Sequence, residues 1–165
     1  MPELPKDIDW HLIGHLQTNK TKYWVGKTKL VHSVDSERLL ESIETEAAKQ
    51  NIKVDLLLEV NVSQEASKFG VLPDALTGLV EKAVSLPHIC IKGLMAMGPL
   101  TEDKSKTRAA FKKLRELQQE MKKKFQNQNW ETLSMGMSSD FEIAIEEGSN
   151  LIRIGTAVFG ERMKI

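Results

Sequence analysis

The stretch that decides the fold is Leu133-Ser-Met-Gly-Met-Ser-Ser-Asp140 together with Leu151-Ile-Arg-Ile-Gly-Thr-Ala-Val-Phe-Gly160. The pattern of each half predicts a short apolar strand that ends in small, hydrogen-bonding residues, where we expect a helix to begin. Backbone N–H groups at such a point lack helical partners and favour an anion. Because the two halves follow each other in the chain, we expect neighbouring strand ends that form a cup for a phosphate group.

The first half of this phosphate cup contains Ser138 and Ser139. Ser139 followed three positions later by Glu142 is a capping-box pattern, which predicts a helix that starts here and stops at Gly148. The simplest alternative is that Ser139 only caps this helix, since capping alone explains a serine at such a position.

The second half of the cup contains Arg153, Gly155 and Thr156. Glycine lets a ligand approach the backbone, threonine offers a hydroxyl, and arginine carries a permanent positive charge. An alternative role for Arg153 is an ion pair with Glu146 or Glu147. Each half alone is a common pattern, and the two halves at consecutive strand ends are more specific.

Size and composition predict a single domain that spans residues 1–165. The chain has 41% hydrophobic residues, and its 23 basic and 23 acidic side chains give a formal net charge of zero. A balanced charge gives no reason to expect nucleic acid or a membrane as a partner, and no apolar run approaches bilayer length. A single cysteine, Cys90, agrees with a reducing compartment, so we expect a cytoplasmic protein.

One unit recurs along the chain, a short apolar run followed by an amphipathic helix. Nearly continuous apolar runs suit a parallel sheet that is covered on both faces, so the predicted fold class is α/β. The predicted strands are Trp10–Gly14, Leu30–Val34, Val54–Val62, Ile89–Met97, Glu131–Met137 and Leu151–Phe159.

Two α/β architectures remain open, a doubly wound sheet and a (β/α)₈ barrel of the TIM type. No G-x-G-x-x-G follows the first strand, which removes the usual dinucleotide signature of the open sheet. Barrels often bind phosphate at the loops after strands seven and eight and at a short extra helix, which residues 159–162 could form. Because only six strands are visible, we expect an incomplete barrel of about six βα units that lacks the first two.

Seven motifs in series resemble the pyridoxal phosphate homeostasis proteins, single-domain relatives of the alanine racemase N-terminal barrel. The resemblance covers essentially the whole chain. It implies a barrel that binds pyridoxal 5'-phosphate, has no settled catalytic activity, and buffers or delivers this cofactor. The motifs are Trp10–Lys20, His32–Asp35, Glu59–Val62, Lys68–Gly70, Gly93–Met97, Leu133–Asp140 and Ile152–Thr156.

The same resemblance assigns roles to residues of the cup. The N–H groups of Ser139, Gly155 and Thr156, with the hydroxyls of Ser139 and Thr156, would hold the phosphate, and phosphate or sulfate would bind at the same place. Arg153 would face the pyridine nitrogen and keep it unprotonated, which weakens the ring as an electron sink. Met95 and Met97 would lie near the ring, although core packing explains their alternation equally well.

The chain departs from the family in one respect that concerns the cofactor. Family members look longer at the N-terminus, where a first strand carries the lysine that forms the Schiff base. None of the lysines here matches that position, so we expect at most non-covalent binding and no catalytic residue. The lysines considered are Lys20, Lys27, Lys29, Lys68 and Lys92.

Two histidine patterns suggest other chemistry and are set aside. His11 and His15 have i, i+4 spacing but straddle a strand and a loop, so no metal site is predicted. His88 and Cys90 lie where a strand begins, on the face of a barrel that serves stability. No nucleophile is predicted there.

Three hypotheses therefore remain for the function. The first is a non-enzymatic pyridoxal phosphate binding and homeostasis protein. The second is an amino-acid racemase, which would need a Schiff-base lysine and a tyrosine from an additional domain, whereas the chain contains only Tyr23. The third is a truncated chain that does not bind the cofactor. An incomplete barrel also has open edges, so self-association through them is expected.

Overall fold

The computed structural model describes residues 4–5, 7–65 and 67–160. Six strands form one sheet in the order β1 to β6, and every neighbouring pair is parallel. The strands are β1 (His11–Leu12), β2 (Leu30–Val34), β3 (Val54–Glu59), β4 (Ile89–Met95), β5 (Thr132–Met137) and β6 (Leu151–Arg153).

Helices connect the strands, as the alternating pattern predicts for an α/β protein. Short 3₁₀ turns at Thr18–Lys20 and Pro73–Ala75 lead into the first and third of them. The helices are α1 (Thr21–Trp24), α2 (Glu37–Gln50), α3 (Leu76–Val84), α4 (Lys104–Lys124), α5 (Phe141–Glu146) and α6 (Thr156–Phe159).

Five of the six predicted strands are longer in the sequence pattern than in the structure, and the third and the sixth illustrate the reasons. The third ends at Glu59, after which Val60 makes an isolated bridge with Val71. The sixth stops at Arg153, because the chain turns into α6, where the Phe159 N–H donates to the Gly155 carbonyl. The apolar residues at its predicted end lie on that exposed helix. Residues 161 and 162 of the predicted extra helix lie outside the described residues.

The sheet curls into part of a barrel. In a flat sheet β2 and β5 would lie about 14 Å apart, since neighbouring strands are about 4.8 Å apart. Instead His32 of β2 and Ser134 of β5 hydrogen-bond across the inner face, with Nδ1 and Oγ 3.0 Å apart. Six parallel strands curled in this way form an incomplete (β/α) barrel.

The inner and outer faces of the sheet have separate cores. On β3, Leu56 and Leu58 join the large outer core beneath the helices, whereas Leu57 belongs to a small inner core. The inner core fills the lower part of the barrel interior, and a polar layer that includes Glu59 lies above it, towards the carboxyl ends of the strands. The inner core consists of Leu30, Leu57 and Met95, with Leu151 packed against it.

Gly136 sets how closely α5 approaches β5. Its φ of +95° lies in a region that L side chains rarely adopt, and a Cβ built there would lie 2.6 Å from the Ala144 Cβ. A side chain at this position would therefore push α5 away from the strand. Glycine here fixes the loop that carries the first half of the cup.

Candidate functional site

The structure brings the two halves of the cup together at the carboxyl ends of β5 and β6. The Ser138 Oγ accepts hydrogen bonds from the N–H groups of Gly155 and Ala157, each at 3.2 Å. This hydroxyl therefore ties the loop after β5 to the start of α6. All five predicted cup residues line one half-open cavity of about 720 Å³, namely Ser138, Ser139, Arg153, Gly155 and Thr156.

The donors that remain for a ligand differ in part from the predicted set. The Gly155 N–H is engaged by Ser138. The N–H groups of Ser139 and Thr156 have no acceptor within the described part of the chain. Both residues are exposed, so their amides and hydroxyls are accessible. The cup thus offers the amides and hydroxyls of Ser139 and Thr156 and the hydroxyl proton of Ser138, and α5 and α6 are too short to add a large helix dipole.

The predicted capping box is wrong. Helix α5 begins at Phe141 with Asp140 at the N-cap, and no side chain makes a capping hydrogen bond. The Asp140 carboxylate instead accepts from the Met137 N–H at 2.6 Å, which closes the turn one residue later than the pattern predicts. Ser139 does not cap the helix, so capping does not explain this serine.

Arg153 is buried and held by two acceptors. Its Nη1 donates to the Ser134 Oγ at 2.7 Å, and its Nη2 donates to the Ala96 carbonyl at 3.0 Å. Burial lowers the pKa of Arg153, and the carboxylates of Glu59 and Asp140 partly oppose this change. The guanidinium remains charged, as arginine does in proteins.

The alternative prediction, that Arg153 forms an ion pair with Glu146 or Glu147, is wrong. Arg108 pairs with both glutamates, and Arg115 lies 3.2 Å from the Glu147 carboxylate. These pairs join α4 to the end of α5, on the helical layer outside the barrel. Arg153 is left to face the interior of the barrel.

A chain of hydrogen bonds starts at Arg153. Because arginine only donates, the Ser134 Oγ accepts from it, and the same hydroxyl hydrogen-bonds the His32 Nδ1, 3.0 Å away. The His32 Nε2 in turn hydrogen-bonds the His11 Nδ1, 3.0 Å away. Burial, followed by the charges of His11 and Arg153, lowers the pKa of His32 to about 3, so His32 is neutral near pH 7.

Met95 and Met97 lie at a second cavity, of about 500 Å³, which shares Arg153 with the first. Met95 is also fully buried in the inner core, so the packing interpretation holds for it. Met97 is partly exposed and lines the second cavity without belonging to the core.

Glu59 is a residue of this region that the strand pattern does not single out. It is 5% exposed and lines the second cavity. Burial raises its pKa from 4.5 to about 7, and Asp35 adds to this rise while Arg153 opposes it. In the sequence, Glu59 appears only as the first residue of the motif Glu59–Val62, and nothing in that pattern assigns it a role.

The histidines that were set aside have separate partners. His11 contacts His32, whereas His15 lies 3.6 Å from Asp35 and stacks on Phe69 with ring centroids 3.7 Å apart. The His88 Nδ1 lies 2.7 Å from the Glu44 carboxylate, beyond the lower end of β4. Within the described residues, no three histidine, cysteine, aspartate or glutamate side chains could hold a metal ion together.

The family model of the alanine racemase N-terminal domain matches residues 6–163. The pyridoxal phosphate homeostasis protein of Aquifex aeolicus is 49% identical over 94% of this chain and 68% of that protein. The one of Vibrio cholerae is 41% identical over 94% of this chain and 65% of that protein. The chain belongs to the pyridoxal phosphate homeostasis family. It spans about two thirds of the length of these relatives.

Solved structures agree with the family and with the barrel. PipY of Synechococcus elongatus with pyridoxal phosphate bound has a TM-score of 0.86 and 34% identity, over 96% of this chain and 73% of that chain. An alanine racemase of Clostridium difficile has a TM-score of 0.72 at 12% identity, over 96% of this chain and 41% of that chain. The latter likeness shows the fold alone.

Proposed function

We propose that this chain binds pyridoxal 5'-phosphate non-covalently and serves cofactor homeostasis rather than catalysis. The observation that carries the proposal is the convergence of the two strand ends on one cavity, with the amides of Ser139 and Thr156 beside a fixed, charged Arg153. Relatives named pyridoxal phosphate homeostasis proteins and the cofactor-bound PipY structure support it.

The residues of the cup fit a phosphate group. A phosphate ester has strongly accepting oxygens, and amides without other acceptors, together with hydroxyls, are suitable donors for them. The N–H groups and hydroxyls of Ser139 and Thr156 would bind these oxygens, and the Ser138 hydroxyl can give its proton because its oxygen already accepts two hydrogen bonds. Arg153 would orient the pyridine ring from the barrel interior.

The arrangement of charged side chains supports binding without catalysis. Bound pyridoxal phosphate supplies an aldehyde and an electron-withdrawing ring. Among the described residues Lys68 is the one lysine that lines either cavity, and it donates to the Gly98 carbonyl and pairs with Glu65. Tyr23, on which a racemase would depend, lies exposed on α1 and lines neither cavity.

A cytoplasmic location forms part of the proposal. No helix within residues 4–5, 7–65 and 67–160 is both long and apolar enough to cross a membrane. Fractionation of the native cells, with an antibody against this chain, tests the location.

Isothermal titration of the purified chain with pyridoxal phosphate, pyridoxal and inorganic phosphate tests the proposal. We expect pyridoxal phosphate to bind, inorganic phosphate to compete with it, and pyridoxal to bind at least about tenfold more weakly, because it lacks the charged group that the cup receives. Thr156→Ala should weaken pyridoxal phosphate, whereas Thr45→Ala on the exposed face of α2 should not. Absence of binding, or equal affinity for pyridoxal, would contradict the proposal.

A further inference from the structure

The second cavity, hereafter the Glu59 cavity, lies above the inner core at the carboxyl ends of the strands. It adjoins the phosphate cup, because Ile13, Met137 and Arg153 line both. Its walls combine apolar side chains with a few charged groups, a composition typical of small-molecule sites. Besides the shared residues, the side chains that matter are His15, Glu59, Lys68, Phe69, Met95 and Met97.

Glu59 is the group in this cavity that lacks an explanation within the fold. Its side chain has no hydrogen bond or ion pair in the described part of the chain, although 95% of the residue is buried, with 5% exposed. Its main-chain carbonyl does have a partner, because it accepts a hydrogen bond from the Val71 N–H at 2.8 Å. Its carboxylate lines the cavity, so a ligand can reach it, and a carboxylate held mostly out of water is stabilised by a donor.

The cations near Glu59 are engaged elsewhere. Lys68 donates to the Gly98 carbonyl and lies 3.4 Å from Glu65. Arg153 directs its two Nη groups to Ser134 and Ala96, so it acts on Glu59 only through space. Asp35, which does not line the cavity, raises the pKa of Glu59 further. Among the described residues, the Glu59 carboxylate is thus left without a protein donor.

The rest of the wall selects the kind of cation. Met95 and Met97 present polarisable apolar surface. Phe69, which stacks on His15 at an interplanar angle of 15°, adds an aromatic surface to the wall. Among the described residues no three histidine, cysteine, aspartate or glutamate side chains are placed to hold a metal ion, whereas an organic cation with a short apolar stem would use both kinds of surface.

We infer that the Glu59 cavity binds the ammonium group of a primary alkylamine, with Glu59 as its counter-ion and the methionines against its stem. This inference is independent of pyridoxal phosphate, because the phosphate cup contributes none of the groups that contact the ammonium. An amine site beside the proposed ring pocket would place an amino compound next to a bound aldehyde cofactor.

The titration of Glu59 supports this ligand class. Burial and Asp35 raise the pKa of Glu59 to about 7, and Arg153 opposes the rise. The other titratable groups around the cavity are His15, which is 3.6 Å from Asp35, and Lys68, which is paired with Glu65. An ammonium bound to Glu59 favours the ionised carboxylate. Amine binding near pH 7 should therefore release a fraction of a proton.

Calorimetric titration with n-butylamine at pH 8.5 is the test, because both the amine and Glu59 are charged there. We expect saturable binding to the wild-type chain, no competition by the isosteric n-butanol, and affinity at least about tenfold weaker for Glu59→Gln. Glu116→Gln, which removes the same charge from the exposed face of α4, is the matched control and should bind as the wild type does.

Proton release supplies a second readout that needs no variant. Titrations at pH 7 in buffers of different ionisation enthalpy should show release of protons on amine binding. The inference is overturned if the wild type does not bind n-butylamine, if Glu59→Gln binds it equally well, if n-butanol competes, or if no proton is released at pH 7. Loss of pyridoxal phosphate binding would leave these results unchanged, so the two proposals fail separately.

Discussion

Arg153 is oriented by Ser134, and this contact can be tested apart from the phosphate cup. Ser134→Ala removes the hydroxyl that accepts from the Arg153 Nη1 and hydrogen-bonds the His32 Nδ1, which leaves two buried groups unpaired. Because each such loss costs about 1–3 kcal/mol, we expect affinity for pyridoxal phosphate to fall about tenfold. Affinity for inorganic phosphate, which is expected to contact Ser139 and Thr156 rather than Arg153, should not change.

Two variants distinguish orientation of Arg153 from general loss of stability. Ser134→Thr keeps the hydroxyl and should restore cofactor affinity even where the added methyl lowers the melting temperature. Ser85→Ala removes an exposed helix-end hydroxyl and should leave both affinities unchanged. Equal weakening of pyridoxal phosphate and of inorganic phosphate by Ser134→Ala would contradict a specific role of Ser134 in orienting Arg153.

Glu59 makes the stability of the chain depend on pH. Its pKa is raised in the folded state, so the protonated form is favoured there and ionisation is disfavoured. The penalty is absent below pH 4.5, grows as the pH rises towards 7, and is complete above that. Glu59→Gln should therefore stabilise the chain at pH 8 relative to pH 4, by at most roughly 3 kcal/mol.

Denaturant unfolding of the wild type and of Glu59→Gln between pH 4 and pH 8 measures the difference in their free energies of unfolding. Glu116→Gln, an exposed change of the same kind, should shift stability by less than about 0.5 kcal/mol at every pH. A stability difference for Glu59→Gln that does not grow with pH would show that the carboxylate is already compensated in the folded chain.

At the scale of single residues, the sequence predicted which side chains share the cup but not what holds Arg153. Ser138 follows β5, and Arg153 and Thr156 lie at and after the end of β6, and the carboxyl ends of parallel strands meet at one edge. The contact between His32 and Ser134 joins β2 to β5, and it exists only because the sheet curls. No periodicity in the sequence reports how strongly a sheet curls.

At the scale of elements, Gly136 controls the distance between β5 and α5. Gly136→Ala would place a side chain on a backbone with φ +95° and would put its Cβ 2.6 Å from that of Ala144. We expect a loss of more than about 1 kcal/mol in the free energy of unfolding. Affinity for phosphate should fall as well, because the loop that carries Ser139 would move with α5.

Gly78 in the exposed part of α3 is the matched control. A Cβ there would meet nothing within 4 Å, and its φ is not in the left-handed region. Gly78→Ala should be neutral or should stabilise the chain by up to about 1 kcal/mol, since alanine is the better helix former. Thermal unfolding of Gly136→Ala and Gly78→Ala measures the change in stability of each. Equal changes for the two variants would contradict the prediction and would show that α5 can move away from β5 at little cost.

Element types were predicted more reliably than element ends. The strand Leu30–Val34 has the expected bounds, whereas the other predicted strands end or begin elsewhere. The start of α5 and the end of β6 were misplaced. A local hydrogen bond decides each boundary. The Met137 N–H donates to the Asp140 carboxylate before α5, and the Phe159 N–H donates to the Gly155 carbonyl after β6. Neither hydrogen bond can be predicted from the spacing of apolar residues.

At the scale of the whole molecule, the two edges of the curled sheet predict self-association. The order β1 to β6 leaves an outer side of β1 and of β6 without a neighbour in the described sheet. Ile13 and Phe159, which are 49% and 86% exposed, lie at the cavity between these edges. Exposed apolar groups beside parallel edges favour pairing with another chain.

Sedimentation velocity over a range of concentrations measures this association. We expect a weight-average mass that rises above 18.6 kDa as the concentration increases. Phe159→Ser should shift this rise in weight-average mass to higher protein concentration. Leu100→Ser changes an exposed residue that does not line this cavity, and it should leave the rise where it is. A single species of monomer mass at every concentration would contradict the prediction.

Amide NMR titration with pyridoxal phosphate tests the central claim most directly, because it reports on the cup residue by residue. The claim is that β5 and β6 end in amides that jointly bind the phosphate. The account predicts saturable shifts of the Ser139 and Thr156 N–H resonances, reproduced by inorganic phosphate and absent with pyridoxal. Binding that leaves these two resonances unmoved, or the absence of any shift at saturating cofactor, would contradict it.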